Sequence, residues 1–75
     1  MKQPIYQHHK GDMVGELYQT EDTYYYKIRY KINNKYKLIG QSYVNLFDKA
    51  LCMDRMIHDM ELIDVSRLNR LQKIR

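Results

Sequence analysis

Lys27, Arg29 and Lys31 recur at every second position, and Lys35 and Lys37 repeat that interval a few residues on. Between residues 24 and 43 these five cations meet no acid. Cations gathered this closely either solvate the open side of a one-faced sheet or bind anions, and the anions that reward a regular row are the phosphates of a nucleic-acid backbone. The same stretch and its approach hold Tyr18, Tyr25 and Tyr36. Aromatic rings set among cations suit sugar and base surfaces as well as phosphates. The candidate contacts are Lys27, Arg29, Lys31 and Lys35, with Tyr18, Tyr25, Tyr36 and Leu38 beside them.

Other chemistries find less material. His8 and His9 are adjacent, but a zinc site takes about four ligands and no further histidine or cysteine cluster supplies them. Cys52 is the only cysteine, which excludes an internal disulfide and fits a reducing cytoplasm. No lysine-rich or helix-start setting surrounds it to lower its pKa, and His58 has no partner pattern. A nucleophile–base pair, a glycine-rich phosphate loop and a metal-ligand set are all missing, so neither an enzyme nor a cofactor or small-molecule substrate is expected. The apolar runs are too short for a membrane span or a signal peptide.

The row of cations becomes a surface only if the chain is extended there. Before Asn33-Asn34, Tyr24, Tyr26, Ile28, Tyr30 and Ile32 alternate with Tyr25, Lys27, Arg29 and Lys31. Successive strand side chains point to opposite faces, so one face is apolar and the other cationic. Asparagine tolerates positive φ, so Asn33-Asn34 predicts a tight hairpin turn that sets Lys31 opposite Tyr36, Arg29 opposite Leu38 and Ile28 opposite Ile39. Residues 13–19 predict a preceding strand, with Gln19 facing Tyr24, Leu17 beside Tyr26, Glu16 opposite Lys27 and Tyr18 opposite Tyr25.

This makes a three-stranded antiparallel sheet, and its apolar face needs a cover. The expected inner face holds Leu17, Tyr24, Tyr26, Ile28, Tyr30, Ile32, Ile39 and Tyr43. Asn45 followed by Asp48 resembles a helix-starting box, and Leu46, Ala50, Met53, Ile57 and Met60 form a helical stripe. A long C-terminal helix over residues 46–63 follows, with its methionines as core filling. The expected class is therefore α+β. Residues 1–12 read as a flexible arm, 13–63 as the domain, and 64–75 as a basic tail or short helix.

The formal net charge is +4, and it is sorted rather than spread: residues 23–44 carry +5, while 45–64, with the helix acids, carry −3. The cationic sheet face and the acidic helix then lie on opposite sides of the molecule.

At this point residues 13–63 resemble the apetala-two / ethylene-response-factor DNA-binding domain and its phage relatives attached to integrases and homing endonucleases. Ile28-Arg29 stands where that family has Ile-Arg on its second strand, and Ile39-Gly40 where it has Leu-Gly on the third. Asn45, Ala50 and Asp54 match its helix-start threonine, an alanine and an aspartate. The resemblance implies a three-stranded sheet set in the major groove, with Lys27 and Arg29 as second-strand contacts and Tyr36 and Leu38 as third-strand ones. The chain departs where the family has an acid at the Lys27 position, arginine and tryptophan at the Tyr36 and Leu38 positions, and an arginine-rich first strand.

The function expected is a non-enzymatic protein that binds double-stranded DNA, an accessory or regulatory factor of a phage or mobile element acting in the host cytoplasm. RNA is a variant of that reading. The alternative is a small phage-type inhibitor that binds and blocks a host protein, with the tyrosines as anchors and an open sheet edge for strand addition.

Overall fold

Three two-residue turns set the architecture. Lys10 pairs with Met13 across Gly11-Asp12, Thr20 with Thr23 across Glu21-Asp22, and Ile32 with Lys35 across Asn33-Asn34. Each turn contains a left-handed residue: Gly11 at φ 61°, Glu21 at 56°, and Asn33 and Asn34 at 53° and 65°. Two successive positive φ values are the geometry that matches strand twist at a hairpin, and the paired asparagines supply it.

The computed structural model describes residues 3–63. It contains β1 (Tyr6–Lys10), β2 (Met13–Thr20), β3 (Thr23–Ile32), β4 (Lys35–Gln41) and α1 (Lys49–Leu62). The strands form one antiparallel sheet in the order β1-β2-β3-β4. The expected tail or helix over 64–75 lies outside the described residues. No helix among the described residues is long and apolar enough to cross a membrane.

The three-stranded sheet is thus corrected to four strands. The segment read as an arm supplies β1, which pairs with β2 from Tyr6↔Leu17 to Lys10↔Met13. Its sequence, Tyr-Gln-His-His-Lys, has almost no apolar alternation, because an edge strand is held by backbone hydrogen bonds and presents little side chain to the core.

The registers of β2 on β3 and of β3 on β4 match expectation at Leu17↔Tyr26, Glu16↔Lys27, Arg29↔Leu38 and Lys31↔Tyr36. They part at one place. A bulge between Ile28 and Arg29 sets Ile28 opposite Gly40, where an uninterrupted ladder would have put Ile39. One extra residue on β4 is absorbed there and the strand bends.

The core lies between the inner sheet face and α1. Met13, Leu17, Tyr26, Ile28 and Tyr30 from the sheet meet Cys52, Met56 and Met60 from the helix, with Tyr24, Ile32, Ile39, Leu46, Met53, Ile57 and Ile63 packed around them. Gly15 faces the helix. A Cβ there would stand 2.7 Å from the Met60 sulfur and 2.9 Å from the Met56 sulfur, so the bare backbone lets the helix settle onto β2.

The helix is shorter than expected and turned. Leu46 exchanges two backbone hydrogen bonds with Tyr24 and so belongs to the sheet. Asn45 donates its side-chain amide to the Thr23 hydroxyl, 3.3 Å away. Asp48 is the N-cap, its Oδ1 accepting from the amides of Ala50 and Leu51 at 2.9 and 3.3 Å. Ala50 is exposed, and Cys52 and Met56 take the central inward positions. Tyr43, expected on the inner face, is fully exposed because the chain leaves the sheet after Ser42.

Candidate nucleic-acid interface

The parity expected for β3 holds. Tyr26, Ile28 and Tyr30 are buried under α1, and Tyr25, Lys27, Arg29 and Lys31 are partly exposed on the other face. In antiparallel pairs, opposed residues share a face, so this outer face also holds Gln7 and His9 from β1, Val14, Glu16 and Tyr18 from β2, and Tyr36 and Leu38 from β4. Among the described residues no helix or strand lies over it.

Its centre is not a bare cationic field. Glu16 sits in the middle of the face and accepts three hydrogen bonds. Arg29 Nε donates to its Oε1 at 2.7 Å, the Tyr18 hydroxyl donates to the same oxygen at 2.9 Å, and Gln7 Nε2 reaches Oε2 at 3.5 Å. Glu16 is directly opposite Lys27 in register, yet its ion pair runs diagonally to Arg29. The guanidinium fork makes the difference, since its Nε–H can lie along the sheet surface while a lysine tip stands away from it.

These contacts shift the titrations. Burial alone would raise the Glu16 carboxyl, but the hydrogen bonds from Arg29 and Tyr18, the charge of Arg29 and the Gln7 amide together hold it below its ordinary value. Burial and the neighbouring carboxylate raise the Tyr18 phenol. Hydrogen bonding to Glu16 raises Arg29 further, so it stays charged.

Tyr18 is 8% exposed, which corrects its expected place among the exposed aromatics. Its ring stacks on Tyr25 with centroids 5.1 Å apart and planes 11° apart, and Lys27 Nζ stands 5.9 Å from its centroid. Tyr18 therefore supports Tyr25, Lys27 and Glu16 from below. Tyr36 and Leu38 are exposed as expected, at 51% and 47%. Lys35 and Lys37 are exposed but pair with Ile32 and Tyr30, which puts them on the inner parity at the hairpin end.

The outer face accordingly unites Lys27, Arg29, Lys31, Tyr25, Tyr36 and Leu38, with Tyr18 beneath and Lys35 at the tip. Sequence reasoning missed the hub role of Glu16 and the whole of β1, which brings Gln7 and His9 to the rim. Neither leaves a plain signal in the sequence: the reach of Arg29 across to the partner of Lys27 is decided by side-chain geometry. His8 faces Gly15 on the inner side and His9 faces Val14 on the outer, so the adjacent histidines are on opposite faces. Among the described residues no group of histidine, cysteine and carboxylate side chains is arranged to hold a metal ion. Burial raises the Cys52 thiol.

No protein-family model matches the chain, and comparison with curated proteins and with solved structures finds no match either.

Proposed function

We propose that this chain is a non-enzymatic nucleic-acid-binding protein that applies the outer face of its sheet to duplex DNA. One observation carries the reading: Lys27, Arg29 and Lys31 form a row along β3, on the face away from α1, with Glu16 paired to Arg29. Tyr25, stacked on Tyr18, adds a flat ring within the row.

Dimensions refine the mode. Strands about 4.8 Å apart make a four-stranded sheet about 14 Å across its backbones, wider than the roughly 12 Å major groove. The β3–β4 hairpin alone fits that groove as a two-stranded ribbon, and it carries Lys27, Arg29, Lys31, Tyr36 and Leu38 on its outward side. Lys35 at the hairpin end then reaches the flanking phosphates. β1 and β2 stay outside as the brace that holds Glu16 against Arg29.

The test is a gel shift with the triple variant Lys27→Ala, Arg29→Ala, Lys31→Ala, whose fold is checked by circular dichroism. A folded variant is expected to lose DNA binding. If it retards duplex DNA like the wild type, the sheet face is not the contact surface. A second reading, a small inhibitor that occupies a host protein, draws on the two sheet edges, β1 and β4, that lie open among the described residues. Such a protein would keep one stoichiometric protein partner at high salt and ignore DNA.

A further inference from the structure

The bulge in β4 decides which side chains the outer face of the β3–β4 ribbon carries. An uninterrupted ladder from Arg29↔Leu38 would set Gly40 opposite Lys27 and turn Gln41 to the inner face. Instead Ile39 is the extra residue, Ile28 lies opposite Gly40, and Lys27 lies opposite Gln41. The bare position accordingly faces inward: a Cβ at Gly40 would stand 3.5 Å from Ile28 Cδ1 and 3.7 Å from Ile63 Cδ1. Gln41 shares the outer face with Lys27 and is exposed. Bulges recur beside functional sites because they re-aim a side chain in this way.

The ribbon's outer surface is then a set of rungs, each with a cation on β3 and an uncharged side chain on β4: Lys31 with Tyr36, Arg29 with Leu38, and Lys27 with Gln41. The β4 side of these rungs has little to give a phosphate, since Leu38 has no donor and Gln41 no charge. Base edges suit both better. A glutamine amide presents a donor and an acceptor side by side, the complement of adenine N7 and N6 in the major groove. An exposed aliphatic chain gains there against the thymine methyl, and Leu38, at 47% exposed, has surface left to bury. Arg29 and Lys27 are two residues apart on β3, which spaces the Leu38 and Gln41 rungs by about 6.8 Å, or two base-pair steps of about 3.4 Å.

We infer that Gln41 and Leu38 are base-reading residues, Gln41 for adenine and Leu38 for a thymine methyl, so that the preferred duplex carries A·T pairs two steps apart. This rests on the duplex-DNA reading above and adds a sequence preference to it. Lys27 and Lys31 set position through phosphates, which carry no sequence information, and the β4 side chains choose among base pairs. The bulge is what gives the edge strand this second side chain to choose with.

The experiment selects bound duplexes from a random-sequence pool with the full chain and measures their affinities by fluorescence anisotropy. Selected sites are expected to hold adenine at one position and thymine two steps away on either strand. Replacing that adenine by 7-deazaadenine should weaken binding about fivefold, and replacing that thymine by deoxyuridine about threefold. Gln41→Ala should erase the adenine preference and Leu38→Ala the thymine preference, each leaving affinity for unselected duplex within about twofold. Gln41→Arg should move the adenine preference to guanine. Selected sites without A·T pairs overturn the inference, and so does an adenine preference unchanged in Gln41→Ala. Duplex binding with no sequence preference overturns it while leaving the sheet-face reading in place, and no duplex binding at all removes both.

Discussion

Gly15 and Glu16 are neighbours in sequence with opposite duties, one on each face of β2. At Gly15 any side chain meets the sulfurs of Met56 and Met60, both of which are buried. Gly15→Ala is therefore expected to lower stability by about 1–3 kcal/mol through overpacking, read as a lower urea midpoint with unchanged slope. Glu16 anchors the other face. Its carboxyl is held below the ordinary 4.5, so the stability it contributes is present above that value and is lost as pH falls through the lowered one. Glu16→Gln should flatten the acid limb of the stability curve below about pH 4.5, measured by denaturation at stepped pH. The same change removes the carboxylate that answers Arg29, and DNA affinity is expected to rise several-fold at low salt. A fall in affinity would mean that Glu16 serves binding by orienting Arg29.

The elements differ in how plainly the chain announces them. β3 and β4 were legible because their alternation and the Asn33-Asn34 turn agree, and the β2 register followed from Leu17 and Glu16. β1 was hidden, since Tyr6–Lys10 is polar on both faces and a backbone ladder leaves no hydrophobic period to read. The helix was legible as an element but not in its phase. Counting Cys52 as a thiol instead of a small apolar residue conceals the Cys52, Met56, Met60 stripe, and Leu46 looks helical until its backbone is seen paired with Tyr24. Glu16 was legible as a cross-strand partner but not as a hub, because diagonal reach depends on side-chain geometry. If β1 is structural, deleting residues 1–10 should cost at least about 2 kcal/mol, or about 10 °C in Tm for a chain of this size. A dispensable arm would leave the melting curve unmoved.

At the scale of the whole molecule, two surfaces of different character stand back to back. The sheet's outer face is cationic around the Glu16 hub, while the helix side carries Asp48, Asp54, Asp59 and Glu61 together with the apolar linker. On the proposed reading, repulsion between DNA phosphates and those acids would orient the approach of the sheet face. Were all five cations of residues 24–43 to meet phosphates, log K would fall with log salt at a slope of roughly −4 to −5. With Lys27, Arg29 and Lys31 on the outer face and Lys35 at the hairpin end, the expected slope is roughly −3 to −4, and fourfold more salt weakens binding about 60- to 250-fold. Fluorescence anisotropy of labelled duplex at several salt concentrations measures it, and a slope near zero would end the nucleic-acid reading. The sheet order β1-β2-β3-β4 has a further consequence, for the history of each molecule. Every strand finds its mate next door in the chain, so the ribbon can zip up turn by turn through short, fast closures. The helix must still dock on the inner face to bury it. Until it does, Met13, Leu17 and Ile28 lie uncovered, and that interval is when the chain is most ready to clump with others of its kind.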